Sequence, residues 1–169
     1  GLITKFTAVE IAGLQKEYAK LGFSQTEILN ATEATLSLAS AVNIDLATAS
    51  NIGGATLRAF GLDASEMQRV VDVMAKSFTS SALDINNFRE SMKYVAPIAR
   101  ASNITLEETA ALLAILADNG VRGSMAGTSL RRIMTDITKT GKPFGEALKE
   151  VAKNGISVKD AFDEVGRTA

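Results

Sequence analysis

The chain has 169 residues, 18 Lys+Arg against 19 Asp+Glu for a formal net charge of −1, and no Cys, His or Trp. Those absences exclude a disulfide framework, a thiolate nucleophile, a zinc ribbon and any His-based metal site or general base. The near-neutral balance gives no electrostatic case for nucleic acid or an anionic membrane surface, and the length suits one domain, or two small ones, with enough chain to bury a core.

The hydrophobic content of 46% with 22% charged residues fits a folded domain. Twenty-six alanines, few aromatics and only two prolines favour helix over strand. The longest nearly apolar run, Ala110 to Ala117, falls far short of the roughly 20 residues a membrane span needs. No basic stretch followed by an apolar run opens the chain, so no secretory signal is expected. The chain begins with Gly1 rather than Met and reads as a segment excised from something longer.

Start and stop marks alternate along the sequence. Thr7/Glu10, Ser24/Glu27, Asp63/Glu66 and Thr105/Glu108 have the three-residue offset of a capping box, in which each side chain satisfies the other's backbone N–H. Asp84 and Ser157 read as simpler N-caps. Gly22, Gly61, Gly120, Gly141 and Gly155 stand where left-handed C-caps are needed. About nine helices are predicted, over 8–21, 25–42, 46–60, 64–79, 85–101, 106–118, 124–140, 143–153 and 158–167, with no strand. The expected fold is an all-α multi-helix bundle forming a single helical domain over residues 1–169.

Apolar stripes of helical period support these assignments. One runs through Met67, Val70, Val71, Met74 and Phe78, a second through Ile85, Phe88, Met92, Val95 and Ala99, and a third through Leu130, Ile133, Met134 and Ile137. Ile28, Ala31, Thr35, Leu38 and Val42 follow a heptad-like spacing too short for a coiled coil. Pro97 removes a hydrogen bond to the Lys93 carbonyl and predicts a kink or break. Gly53 and Gly54 fall inside a helix at a cost of about 1 kcal/mol each, which implies close approach by a neighbouring helix or a hinge.

There is also an internal echo. Ala39 to Leu46 reads A-S-A-V-N-I-D-L, and Ala99 to Leu106 reads A-R-A-S-N-I-T-L. In both, a helix ends, Asn-Ile turns, and Asp45 or Thr105 caps the next helix. A shorter echo joins G-F-S-Q-T-E-I at Gly22 to G-L-D-A-S-E-M at Gly61. Duplicated helical hairpins and repeated use of one turn chemistry both account for these echoes.

No residue pattern supports catalysis. Lys76/Ser77 and Ser91/Lys93 miss the S-x-x-K spacing, and Glu107 with Glu108 is explained by the favourable negative charge of a first helical turn. Asp160, Asp163 and Glu164 read as a solvated helix face. The stretch Asn119–Gly127, N-G-V-R-G-S-M-A-G, followed by Thr128 and Ser129, superficially suggests a phosphate cradle. It lacks the Lys before the hydroxyl residue and follows a helix rather than a strand. The four-residue spacing of Gly123 and Gly127 suits a tight helix crossing. Arg131, Arg132, Lys139 and Lys142 form a basic cluster in which Arg132 and Asp136 have the spacing of an i,i+4 pair on a solvated face. No catalytic residue, cofactor or metal is expected.

Three stretches resemble the conserved core region of phage tail tape measure proteins: Ala31–Ser50 (A-T-E-A-T-L-S-L-A-S-A-V-N-I-D-L-A-T-A-S), Phe60–Ala75 (F-G-L-D-A-S-E-M-Q-R-V-V-D-V-M-A), and most strongly Leu116–Met134. The last is similar to a G-x-R-G-S-x-A-G-T-x-L-R signature, met here by Gly120, Arg122, Gly123, Ser124, Ala126, Gly127, Thr128, Leu130 and Arg131. The segment A-L-K-E-V-A-K-N-G-I-S-V-K-D-A, Ala147–Ala161, resembles the helix–glycine–turn that follows in the family.

The resemblance implies a structural, non-enzymatic role in tail assembly and tail length determination. It also implies work with tail tube protein, tail assembly chaperones and tail tip proteins, and residence in the tail tube lumen after assembly in the host cytoplasm. A helix advances about 1.5 Å per residue, which makes a helical ruler physically reasonable, although the many short capped helices here predict a compact bundle. Self-association is expected through an apolar stripe left exposed, with Ile28, Leu38 and Val42 as its candidates. The alternative is a peptidoglycan-cleaving or membrane-penetrating segment of the same tail protein.

Overall fold

Reciprocal capping sets the helix starts. The structure, a computed structural model, describes residues 6–139 together with Gly141 and Glu146. Four capping boxes form, at Thr7/Glu10, Ser24/Glu27, Asp63/Glu66 and Thr105/Glu108. Asp45 and Asp84 serve as single N-caps. They open α1 (Ala8–Lys20), α2 (Gln25–Ala41), α3 (Leu46–Phe60), a 3-10 turn (Ala64–Glu66) running into α4 (Met67–Ser80), α5 (Ile85–Ala101) and α6 (Leu106–Asp118); α7 (Gly123–Lys139) follows.

The described residues thus hold seven α-helices and one 3-10 turn, with no strand. The all-α expectation holds, and the count of about nine is high for these residues. The expected eighth and ninth helices, over 143–153 and 158–167, and the caps at Ser157 and Gly155, lie outside the described residues. One expected helix start is displaced: the Asp63 box closes a 3-10 turn before α4 begins, with the Glu66 N–H bonding the Asp63 carbonyl at 2.9 Å in the i→i+3 pattern.

Of the kink or break expected at Pro97, the break does not occur: α5 runs unbroken over its full 17 residues. The lost N–H removes one rung of the ladder. Phe88, Met92, Val95 and Ala99, buried on one stripe on both sides of that rung, hold the helix in place.

The chain divides into two compact units, Gly1–Thr79 and Ser80–Ala169. In the first, α3 packs against α1 and α2, and the 3-10 turn packs on α2. Tyr18, fully buried, bonds the hydroxyl of buried Thr35, and its ring lies 4.8 Å from that of Phe23. The Arg58 guanidinium stacks 4.1 Å above the Phe23 ring while reaching Glu27 at 2.9 Å and the Gly22 carbonyl at 3.3 Å. One carboxylate, Glu27, therefore serves both the α2 cap and the tie to α3.

Gly54 carries the close approach expected of the Gly53–Gly54 pair. A methyl group there would stand 2.7 Å from Leu21 Cδ1 and 2.9 Å from Tyr18 Cε1, whereas one at Gly53 would meet Met67 Sδ at an ordinary 3.5 Å. In the second unit α5 lies along α7, and α6 packs on both.

The proposed exposed stripe on α2 does not form. Leu38 is fully buried and Ile28 and Val42 are half-buried, because α3 and the 3-10 turn cover that face. Among the described residues, the large apolar side chains that do reach solvent are Val9, Leu29, Tyr94, Ile115 and Met125, drawn from five different helices.

Two predictions follow from this packing. Gly54→Ala gains about 1 kcal/mol of helix propensity but overpacks a site walled by the rigid Tyr18 ring, at a cost of about 1–3 kcal/mol. Thermal unfolding should therefore show no gain or a net loss, while Gly53→Ala should be neutral or stabilising.

Charge state bounds stability on both sides. The capping hydrogen bonds hold the Glu10, Glu27, Asp45 and Asp63 carboxyls below their ordinary values of 4.5 and 3.8. Folded values below unfolded ones contribute stability above those ordinary values, and that stability is lost as pH falls through the folded values. Burial pushes the Tyr18 phenol up from 10.0 to about 12. Its contribution is complete below pH 10 and lost as pH rises towards 12. Melting temperature against pH should fall at both edges, and Tyr18→Phe should flatten the alkaline edge alone.

Candidate functional site

The α6–α7 corner is where the glycine-rich stretch folds, and its geometry follows from local constraints. Asn119 ends α6, and its N–H bonds back to Ile115 and Leu116. Gly120 takes a left-handed φ of 84°, and the Val121 N–H then reaches the Leu116 carbonyl at 2.9 Å, closing the helix end. Arg122 turns back so that its Nε donates to the Ala117 carbonyl at 3.2 Å, satisfying another terminal acceptor. Gly123 opens α7 with φ 58°, buried, and a Cβ there would lie 3.1 Å from Asn87 Oδ1.

The next turn of α7 brings Gly127 onto the main chain of α5. A Cβ at Gly127 would meet the Ser91 carbonyl oxygen at 2.5 Å, its Cα at 2.8 Å and its carbonyl carbon at 3.0 Å. Backbone cannot yield as a flexible side chain can, so only glycine fits. The fully buried Ser91 hydroxyl shares its hydrogen between the Gly123 carbonyl at 2.7 Å and the Asn87 carbonyl at 2.8 Å. It thereby ties the first turn of α7 to α5. Leu130 and Met134 continue the buried stripe.

The sequence-selected residues thus separate into two sets. Gly120, Arg122, Gly123, Gly127 and Leu130 build the corner and the crossing. Ser124, Thr128 and Arg131 face solvent, and the Thr128 hydroxyl donates within its own helix to Ser124 and Met125 carbonyls at 2.8 and 3.1 Å.

Arg131 and Arg132 make no ion pair among the described residues. The expected Arg132–Asp136 pair is replaced by Lys139 to Asp136 at 2.9 Å, the i,i+3 partner toward the helix end. Asn87 and Ser91 complete the crossing; Asn87 carries no motif in the sequence, and Ser91 stands out there only beside Lys93, at a spacing that fits no catalytic pair. The available signal was the position of Ser91 beside Phe88, Met92 and Val95 on the buried stripe of α5.

The buried polar side-chain atoms among the described residues all have hydrogen-bond partners. No group of three or more His, Cys, Asp or Glu able to hold a metal ion occurs among them, and no described helix is long and apolar enough to cross a membrane. The arrangement locks one helix against another through main-chain contact.

The packing predicts a rank order. Gly127→Ala should cost at least the upper end of the roughly 1–3 kcal/mol typical of overpacking. Ser91→Ala should cost about 1–3 kcal/mol through the lost tie to Gly123, and Thr128→Ala should fall within about 0.5 kcal/mol of the parent. Urea denaturation of the three variants checks the order.

Comparison with known proteins places these features in a wider setting. The family model described as "Phage-related minor tail protein" matches residues 1–168. The "Tape measure protein" of Pneumococcus phage Dp-1 is 38% identical over 161 residues, covering 95% of this chain and 14% of that protein. The "Probable tape measure protein" of Escherichia phage P2 is 31% identical over 159 residues, covering 94% of this chain and 19% of that protein. The chain therefore spans less than a fifth of the length of either relative. No solved structure matches.

Proposed function

Because this chain belongs to the phage-related minor tail protein family, we propose that it is a structural, non-enzymatic segment of a tail tape measure protein, acting in tail assembly and tail length determination. The observation that carries this reading is near-complete coverage of the chain by two proteins named as tape measure proteins, at 38% and 31% identity. The residue chemistry agrees with it: the glycine-rich corner, the element most open to a catalytic or phosphate-binding reading, is used for helix crossing.

In this reading the segment is a folded piece of a much longer chain. Its working partners are the tail tube protein, tail assembly chaperones and tail tip proteins, with self-association in the full-length protein. Its place is the tail tube lumen, reached from the host cytoplasm during assembly. No nucleic-acid partner is part of this reading, and no described helix is long and apolar enough to cross a membrane.

An in-frame deletion of the matching segment from the tape measure gene of Pneumococcus phage Dp-1 tests the proposal. Electron microscopy of the progeny should show shortened tails or none. Tails of normal length and number would contradict it. Clearing of purified cell wall by the isolated chain would replace it with the peptidoglycan-cleaving alternative.

A further inference from the structure

The two echoing turns have the same conformation as well as the same letters. Asn43 and Asn103 are the only non-glycine residues with positive φ among those described, at 53° and 54°. Such a backbone is uncommon outside glycine. In each case the next N–H closes a six-residue turn back to an alanine carbonyl: Ile44 to Ala39 at 3.1 Å and Ile104 to Ala99 at 2.8 Å. A side-chain N-cap follows at once, Asp45 for α3 and Thr105 for α6.

The register extends well beyond the turn. α2 spans Gln25–Ala41 and α5 spans Ile85–Ala101, an offset of 60 residues at both ends, and α3 and α6 begin at Leu46 and Leu106 with the same offset. Every buried residue of α6 has a buried counterpart sixty residues earlier in α3, from Leu46/Leu106 to Leu57/Ala117; only Gly54 of α3 lacks one. On the preceding helices Ala31/Ser91, Thr35/Val95 and Ala39/Ala99 are buried in both, whereas buried Ala34 and Leu38 correspond to exposed Tyr94 and half-buried Ile98, and buried Ile85, Phe88, Met92 and Ala96 correspond to residues that are exposed or half-buried in α2. The second helix of each pair also closes on a left-handed glycine, one residue earlier in the second copy than the 60-residue register gives: Gly61 and Gly120, with Leu62 and Val121 donating back to Leu57 and Leu116 at 3.0 and 2.9 Å. In both units the first helix of the pair receives the segment that follows the second, the 3-10 turn on α2 and α7 on α5.

Turn chemistry used twice explains the Asn-Ile pair and the caps. It does not explain why the buried positions of the helices that follow, α3 and α6, keep one offset over three turns. We infer that residues 25–61 and 85–120 are two copies of one helical-hairpin module, repeated in tandem with a 60-residue period. This inference stands apart from the tail assignment, since it rests on register and burial alone.

Two variants of the full chain test it. The first exchanges the turn segments, with Ser40→Arg, Val42→Ser and Asp45→Thr in one copy and Arg100→Ser, Ser102→Val and Thr105→Asp in the other. The second adds the buried seam, with Ser50→Ala, Ile52→Leu, Ala110→Ser and Leu112→Ile. Equivalent modules predict cooperative melting within about 4 °C of the parent for both, the shift that about 1 kcal/mol produces at this size. Retention by the first variant with loss by the second would reduce the likeness to turn chemistry, and loss by both would deny equivalence altogether; either overturns the inference. As an independent measurement, Leu46→Ala and Leu106→Ala, each at a site that is 1% exposed, should lower the melting temperature by matching amounts. A large loss at one site with none at the other would overturn the inference as well.

Discussion

Gly127 lying against the backbone of Ser91 is the contact on which the second unit depends. It lets α7 lie along α5 at main-chain distance, and the Ser91 hydroxyl then reaches across to the first turn of α7. Leu130 and Met134 follow onto the same buried stripe because the crossing fixes where α7 begins its descent. The left-handed glycines at 120 and 123 deliver the chain to that point, and Arg122 satisfies a carbonyl that the turn would otherwise leave open. The first unit uses the same device more gently, with Gly54 admitting the Tyr18 ring and the Leu21 side chain.

Such a design spends its distinctive residues on packing. A run of glycines with a neighbouring arginine and hydroxyl residues has the composition of an anion-binding loop. Here the glycines are used for left-handed turns and for backbone approach, and the arginine bonds its own helix end. That allocation suits a segment whose relatives are named for a structural role in a phage tail. It also suits a chain that repeats a module, because a hairpin closed by Asn-Ile and a side-chain cap carries its instructions locally.

Much of this was legible in the sequence because the signals were local. All four capping boxes, the Asp45 and Asp84 caps and the left-handed glycines at 22, 61, 120 and 141 form as spacing dictates. Helix ends fall within a residue or two of their predicted places, apart from the 3-10 turn at Ala64–Glu66. What failed depended on distant partners. Whether Leu38 is exposed is decided by which elements cover α2, and whether Pro97 breaks α5 is decided by burial on either side of it. Ser91 gave no polar signature because a buried hydroxyl bonded to carbonyls resembles any small residue on an apolar stripe.

The α5–α7 approach can be observed directly, by one spectroscopic measurement that leaves the molecule unaltered. A nuclear Overhauser effect between the Ser91 and Gly127 α-protons of the isotopically labelled chain should be strong, since their main chains touch. Its absence, with both resonances assigned and α5 and α7 otherwise helical, would mean that the two helices do not cross there, and the reading of the glycine-rich corner as a packing device would fall.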